Sequence, residues 1–201
     1  MTYRTLVWSI RVWLLFFLFV PPAKSQNTVS LTETERAWLQ THLTIRLGSD
    51  ATFVPMEYLD EKDVHSGMSA DYMALLEQRL GLTFTPPPRI SWNQILEKSK
   101  SRELDVLSCV AQTPEREKYL LFTEPYLSCP IVVFTRRDAP PLTDLNQLMD
   151  APVAVVNGYA HHELLQRDFP ELNLHPVNSP DRGLQKLTEG DVDAFIGFLI
   201  T

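Results

Sequence analysis

Leu104-Asp105-Val106-Leu107-Ser108-Cys109-Val110-Ala111-Gln112-Thr113-Pro114-Glu115-Arg116, continued to Arg137 as EKYLLFTEPYLSCPIVVFTRR, is the stretch on which the reading of this chain turns. Residues 104–109 are short and mostly apolar, the pattern of a buried strand. Thr113 suits the cap of a helix, Pro114 its first position, and Glu115 the positive end of its dipole. The spacing therefore predicts Arg116 one turn inside a helix that begins where a strand ends. Open α/β sheets meet their ligands at such junctions. A second apolar run, residues 130–134, leads into Arg136-Arg137-Asp138-Ala139-Pro140-Pro141, the composition of a crossing into another lobe.

Strands and helices alternate on both sides of this stretch. Upstream, Thr32-Glu33-Thr34-Glu35 and Ser91-Trp92-Asn93-Gln94 are capping boxes. The first opens a short helix with Trp38 and Leu39 on its buried face, and the second a helix running to about Ser101. Residues 44–48, 83–86 and 105–109 read as strands, and residues 69–80 as a helix ended by Gly81. Downstream, helices are predicted over 143–149, 161–168 and from Ser179-Pro180 to Gly190, with strands over 152–156, 172–177 and 193–197. This alternation predicts an α/β fold of parallel sheets with crossover helices.

A chain of 201 residues suffices for one sizeable core or two small lobes, and 44% hydrophobic with 21% charged residues is ordinary for a globular protein. Residues 1–25 join a basic start to the apolar run Val12-Trp13-Leu14-Leu15-Phe16-Phe17-Leu18-Phe19-Val20, then small residues at Ala23 and Ser25. The run is too short to span a bilayer, so a signal peptide cleaved near Ser25 is predicted, with a signal anchor as the alternative. Formal net charge is -7, and the leader holds Arg4, Arg11 and Lys24 but no acid, so 15 basic against 25 acidic residues remain without it. Such a surface excludes nucleic acid and anionic lipid as partners. Cys109 and Cys129 are too few for a disulfide framework; they either pair in an oxidising compartment or remain two buried thiols, the plainer reading.

In order and spacing these pieces resemble the family 3 solute-binding proteins, two-lobed Venus-flytrap domains that close on amino acids and similar solutes. The resemblance rests on the D-V-L-S, T-P-E-R and F-T-E-P-Y sequences of the opening stretch. It also rests on Ile45-Arg46-Leu47-Gly48-Ser49-Asp50, Phe53-Val54-Pro55-Met56-Glu57-Tyr58, Gly67-Met68-Ser69-Ala70-Asp71-Tyr72, residues 153–158 and residues 190–197. The segment LTETERAWLQTHLTIRLG, residues 31–48, resembles the start of the flytrap domains of BvgS/EvgS-type hybrid sensor kinases. What the resemblance implies is a type II periplasmic binding protein-like fold with lobe 1 over residues 26–135 and lobe 2 over residues 136–201. In the family, further chain completes lobe 2 and returns to lobe 1. The chain is thus expected to be the N-terminal part of a longer protein, with a truncated second lobe and poorly cooperative unfolding. The returning strand would also lie between the strands that carry Cys109 and Cys129.

Arg116 is the foremost candidate site residue, because a guanidinium offers a planar fork that matches a carboxylate. In amino-acid-binding members of the family the arginine at this place holds the ligand's α-carboxylate; a surface or capping arginine is the plainer alternative. By the same resemblance Asp50 and Phe53 face the ligand from lobe 1, and Asn157, Gly158 and Tyr159 from the loop after a lobe 2 strand. There, glycine admits close approach of the backbone. Core packing and ordinary turn chemistry are the alternatives for Phe53 and the loop. Two departures put an amino-acid pocket in doubt: Ala111 stands where relatives carry a hydroxyl, and Phe198 where they carry an acid for the ligand's amine.

His161 and His162 are adjacent and cannot share a metal as i,i+4 histidines do, and His42, His65 and His175 lack ligand spacing. No cofactor, metal or catalytic motif is implied. The expected role is a periplasmic sensor domain that takes a small carboxylate or amino-acid-like solute and serves a downstream kinase. The runner-up is a soluble carrier delivering amino acids to a membrane permease. An enzyme is the third class, since some relatives are lytic transglycosylases or dehydratases, but no residue here supplies that chemistry.

Overall fold

The computed structural model describes residues 29–200, and the predicted leader with its cleavage point lies outside the described residues. Local signals account for most of the helices. In α1 (Glu33–Thr41) and α3 (Trp92–Lys100), Thr32 and Ser91 each cap the third N–H of their helix while Glu35 and Gln94 reach back to the cap backbone. Gly81 and Gly190 close α2 (Met68–Leu80) and α5 (Pro180–Glu189) in the left-handed conformation that costs a side-chain-bearing residue about 1 kcal/mol or more. Ser91→Ala should cost about 1 kcal/mol in a urea titration, because the first N–H groups of α3 lose their partner.

The N-terminal half holds a central strand broken at Arg46. Its first part, β1 (Thr44–Ile45), pairs in parallel with β6 (Thr83–Phe84), and its second, β2 (Leu47–Gly48), in parallel with β7 (Val106–Leu107). Arg46 locks this arrangement from outside, donating from Nε to Asp105 Oδ2 at 2.8 Å and from Nη2 to Asp105 Oδ1 at 2.7 Å. Between β2 and α2 lies an antiparallel meander, β3 (Thr52–Phe53), β4 (Glu57–Leu59) and β5 (His65–Ser66). The C-terminal half is one four-stranded sheet, in the order β10 (Leu174–Val177), β9 (Val153–Val156), β11 (Ala194–Phe198) and β8 (Ile131–Thr135). Here β9, β10 and β11 run parallel, linked through α4 (Ala160–Asp168) and α5, while β8 lies antiparallel to β11. The expectation of parallel sheets alone is thereby corrected at the meander and at β8.

Two further expectations change. Residues 116–118 form a single 3-10 turn, so Arg116 opens the turn instead of lying inside an α-helix. Trp38 is not on a buried face: it is half exposed and stacks on His42 with ring centroids 4.2 Å apart. Both cysteines are free and partly buried. The Cys109 thiol is pushed up to about 12, first by burial and then by the nearby charge of Glu57, which keeps it protonated at neutral pH.

One apolar cluster joins the halves: Phe53, Met56, Trp92, Ile95 and Leu96 pack with Ala154, Val156, Tyr159, Val177 and Phe195. A second, around Val153, Val155, Leu165 and Ile196, belongs to the C-terminal sheet. No helix among the described residues is long and apolar enough to cross a membrane.

Candidate functional site

Among the described residues Arg116 is the largest side chain with almost no exposure, at 1%. The strand-to-turn junction holds it there: Thr113 Oγ1 accepts the Arg116 N–H at 3.3 Å, and Leu120 N–H closes on the Arg116 carbonyl at 2.8 Å. Its guanidinium points across the molecule at the turn between β9 and α4. Nη2 donates to the Gly158 carbonyl at 2.8 Å and to Glu163 Oε1 at 3.0 Å, Nε to the same Glu163 oxygen at 3.1 Å, and Nη1 back to the Ala111 carbonyl at 2.9 Å. Glu163 Oε2 accepts from Thr113 Oγ1 at 2.9 Å. Both oxygens of one carboxylate from the C-terminal half are thus held by groups of the N-terminal half. Trp92 completes the cradle, with its ring 5.8 Å from the guanidinium carbon and its Nε1–H on the Gly158 carbonyl at 2.9 Å.

Gly158 sits at φ +75°, and a Cβ there would lie 1.8 Å from Asn93 Oδ1. The backbone of the turn therefore rests directly on α3. Its N–H donates to His162 Nδ1 at 3.1 Å, which places the proton of neutral His162 on Nε2. Gly158→Ala should cost about 2 kcal/mol, from the left-handed φ and the displaced Asn93 side chain together. In a double-mutant cycle, Asn93→Ala should return the steric part of that loss and leave the backbone part. Asn157 is half-buried, ties its N–H to the Val177 carbonyl at 2.8 Å, and sits at the edge of the same turn.

Asp50, Phe53 and Tyr159 form a second contact between the halves, and all three are buried. Tyr159 OH donates to Asp50 Oδ2 at 2.7 Å, and Asp50 Oδ1 accepts from the N–H and hydroxyl of Thr52 at 2.8 and 2.9 Å. Burial raises the Asp50 carboxyl above its ordinary range, against the pull of the Tyr159 and Thr52 hydrogen bonds. Burial, followed by the Asp50 charge, holds the Tyr159 phenol well above its usual value. The Phe53 ring lies 5.1 Å from Phe198 and 5.7 Å from Tyr159, and Phe198 in turn packs edge-on against His161 at 5.3 Å.

All six residues singled out in the sequence thus lie where the halves meet, in two groups. Arg116, Gly158 and Asn157 surround one polar contact; Asp50, Phe53 and Tyr159 surround the other. Two carboxylates escaped sequence reasoning. Glu163 reads as an ordinary acid in the first turn of a helix. Glu57, wholly buried, supports Asp50 by accepting its N–H at 2.8 Å and the Ser69 hydroxyl at 3.0 Å, with the Ser108 hydroxyl also donating to it. A cleft of about 310 Å³ beside the Arg116–Glu163 pair is lined by Asn93, Lys100, Tyr119, Asn157, His162 and Glu163. Among the described residues no group of three or more His, Cys, Asp or Glu side chains is placed to hold a metal ion.

Chemically, the polar contact is a carboxylate site: three donors converge on two oxygens, and the guanidinium charge does not titrate away. The chain as a whole is similar to several known proteins. The virulence sensor protein BvgS of Bordetella pertussis is 26% identical over 81% of this chain, which spans only 13% of BvgS. A putative ABC transporter arginine-binding protein 2 of Escherichia coli K12 is 27% identical over 77% of this chain and 63% of its own length. The crystal structure of the BvgS periplasmic VFT2 domain superposes with a TM-score of 0.72 at 25% identity, covering 85% of this chain and 72% of that one. The fold is therefore the two-lobed type II periplasmic binding protein-like fold. Since the sequence model of the bacterial extracellular solute-binding proteins, family 3, matches residues 45–195, the chain belongs to that family.

Proposed function

We propose that this chain is a periplasmic solute-sensing domain, exported by a leader cleaved near Ser25, and the input module of a two-component sensor kinase. The expected boundary after residue 135 moves ahead of β8, which pairs with β11 in the C-terminal sheet, so lobe 1 is residues 26–130 and lobe 2 residues 131–201. The ligand is a small carboxylate or amino-acid-like solute held between them by Arg116, Asp50 and Phe53 on one side and Asn157, Gly158 and Tyr159 on the other. The observation that carries this reading is a buried arginine at the meeting of the halves, engaged by a carboxylate and a backbone carbonyl of the opposite one. The sensor role is supported by the similarity to BvgS across 81% of this chain. Closure of the lobes would bias a two-state element downstream, and any kinase activity lies outside these residues. The match to an arginine-binding protein favours a second reading, a soluble carrier for an amino-acid permease.

A thermal-shift screen of amino and carboxylic acids, followed by calorimetry, tests the binding reading. Arg116→Lys keeps the charge and loses the fork, so affinity for each hit should fall by about 10-fold or more. Unchanged affinity for every hit would overturn the assignment of Arg116. What the gene encodes after Thr201, if anything, separates the two roles. A transmembrane helix and a histidine-kinase core support the sensor, whereas termination after a single flytrap domain means a carrier.

A further inference from the structure

The carboxylate place at Arg116 is already taken. Four of the five guanidinium N–H groups are used within the protein, and the two aimed at a carboxylate, Nε and one of Nη2, both meet Glu163 Oε1 at 3.1 and 3.0 Å. Glu163 Oε2 is held by Thr113 at 2.9 Å. A free carboxylate bound by the same donors would present the same two oxygens to the same three groups. The two partners come from opposite halves, since Glu163 is on α4 and Arg116 follows β7. Their bond therefore also ties the halves together, in company with Trp92 on the Gly158 carbonyl and Tyr159 on Asp50. The pair is asymmetric in exposure: the Arg116 side chain is 2% exposed and that of Glu163 25%. Glu163 also faces the cleft beside α3, so it is the partner that solvent can reach.

We infer that Glu163 is a tethered stand-in for the solute's carboxylate: it occupies the Arg116 place, holds the lobes closed without a solute, and is displaced when one binds. The inference rests on the reading of Arg116 as the solute's carboxylate clamp. It adds that binding is an exchange of one carboxylate for another, so the charge on Arg116 is never left unpaired inside the protein. It also sets the chemical class of the competitor. A solute lacking an anionic group cannot compensate Arg116 and leaves Glu163 in place.

Replacement of the tether by a free ion provides the test. In Glu163→Ala, sodium acetate should bind and raise the melting midpoint. Acetamide and sodium chloride at equal ionic strength should do neither. Wild type should ignore acetate, because its place is filled. In Glu163→Gln, which keeps the shape and loses the charge, carboxylate hits from the screen should bind at least about tenfold more tightly than in wild type, the competitor having been weakened. No effect of acetate on a Glu163→Ala chain that retains wild-type circular dichroism would overturn the inference. If that variant does not fold, equal affinities of wild type and Glu163→Gln for the hits would overturn it in its place. Failure of the clamp reading looks different. Hits would then bind Arg116→Lys as tightly as wild type, while acetate still rescued Glu163→Ala.

Discussion

Arg116→Ala is expected to lower the unfolding free energy by about 3–5 kcal/mol, near the lower figure because Glu163 keeps some contact with water. Truncation removes a charge from a place where it is compensated and leaves the compensating groups behind. Glu163 loses both guanidinium bonds, and the carbonyls of Ala111 and Gly158 lose one donor each. A cavity also opens beneath Trp92, whose ring now covers the guanidinium. For a chain of this size such a loss corresponds to a fall in melting midpoint of about 6–12 °C. Urea titration of wild type, Arg116→Ala, Glu163→Ala and the double variant separates the pair from the packing. The double variant should be less destabilised than the sum of the single ones, since each single change strands the other partner. A loss below about 1 kcal/mol would put the pair in the class of solvent-screened surface bridges.

Acid should weaken the fold through His161. This ring is buried against Tyr159 and Phe198, and its pKa is lowered to about 4, first by burial, then by the charge of neighbouring His162 and, more weakly, Arg116, against a backbone contact from Ile196. Above about pH 6.5 the imidazole is neutral in both states and contributes nothing to pH dependence. Between there and about pH 4 only the unfolded chain takes up the proton, so each unit of acidification costs about 1.4 kcal/mol, some 3 kcal/mol over the window. Below that, both states are protonated and the loss levels off. Burial lowers His162 as well, against the pull of Glu163, and acts with the same sign. Asp50 acts the other way: its raised carboxyl takes up a proton first in the folded state and returns stability as pH falls through its folded pKa. The difference between denaturation curves of wild type and His161→Gln isolates the ring, and a difference independent of pH would refute its role.

Elements announced by chemistry at their ends were legible from residues alone. The capping boxes at Thr32 and Ser91 and the closing glycines Gly81 and Gly190 mark helices that the structure contains. Strand direction was not, because alternation of strands and helices says nothing of how β8, reached without an intervening helix, will lie against β11. The β3–β5 meander left no trace either, since strands of two or three residues are shorter than any alternation that could reveal them. At the site, Arg116 stood out by the motif around it. Glu163 did not, because its partner is 47 positions away and its local setting is that of a common first-turn acid.

Among the described residues tryptophan occurs twice, at half-exposed Trp38 and at Trp92, which is 7% exposed. The indole of Trp92 lies against a cation and hydrogen-bonds the opposite lobe, so its emission is a built-in optical gauge of lobe separation. Parting of the lobes would strip that bond and wet the ring, shifting its fluorescence to the red. With Trp38→Phe in a chain lacking the leader, which carries Trp8 and Trp13, the state of the cleft could be followed in real time without attaching a dye.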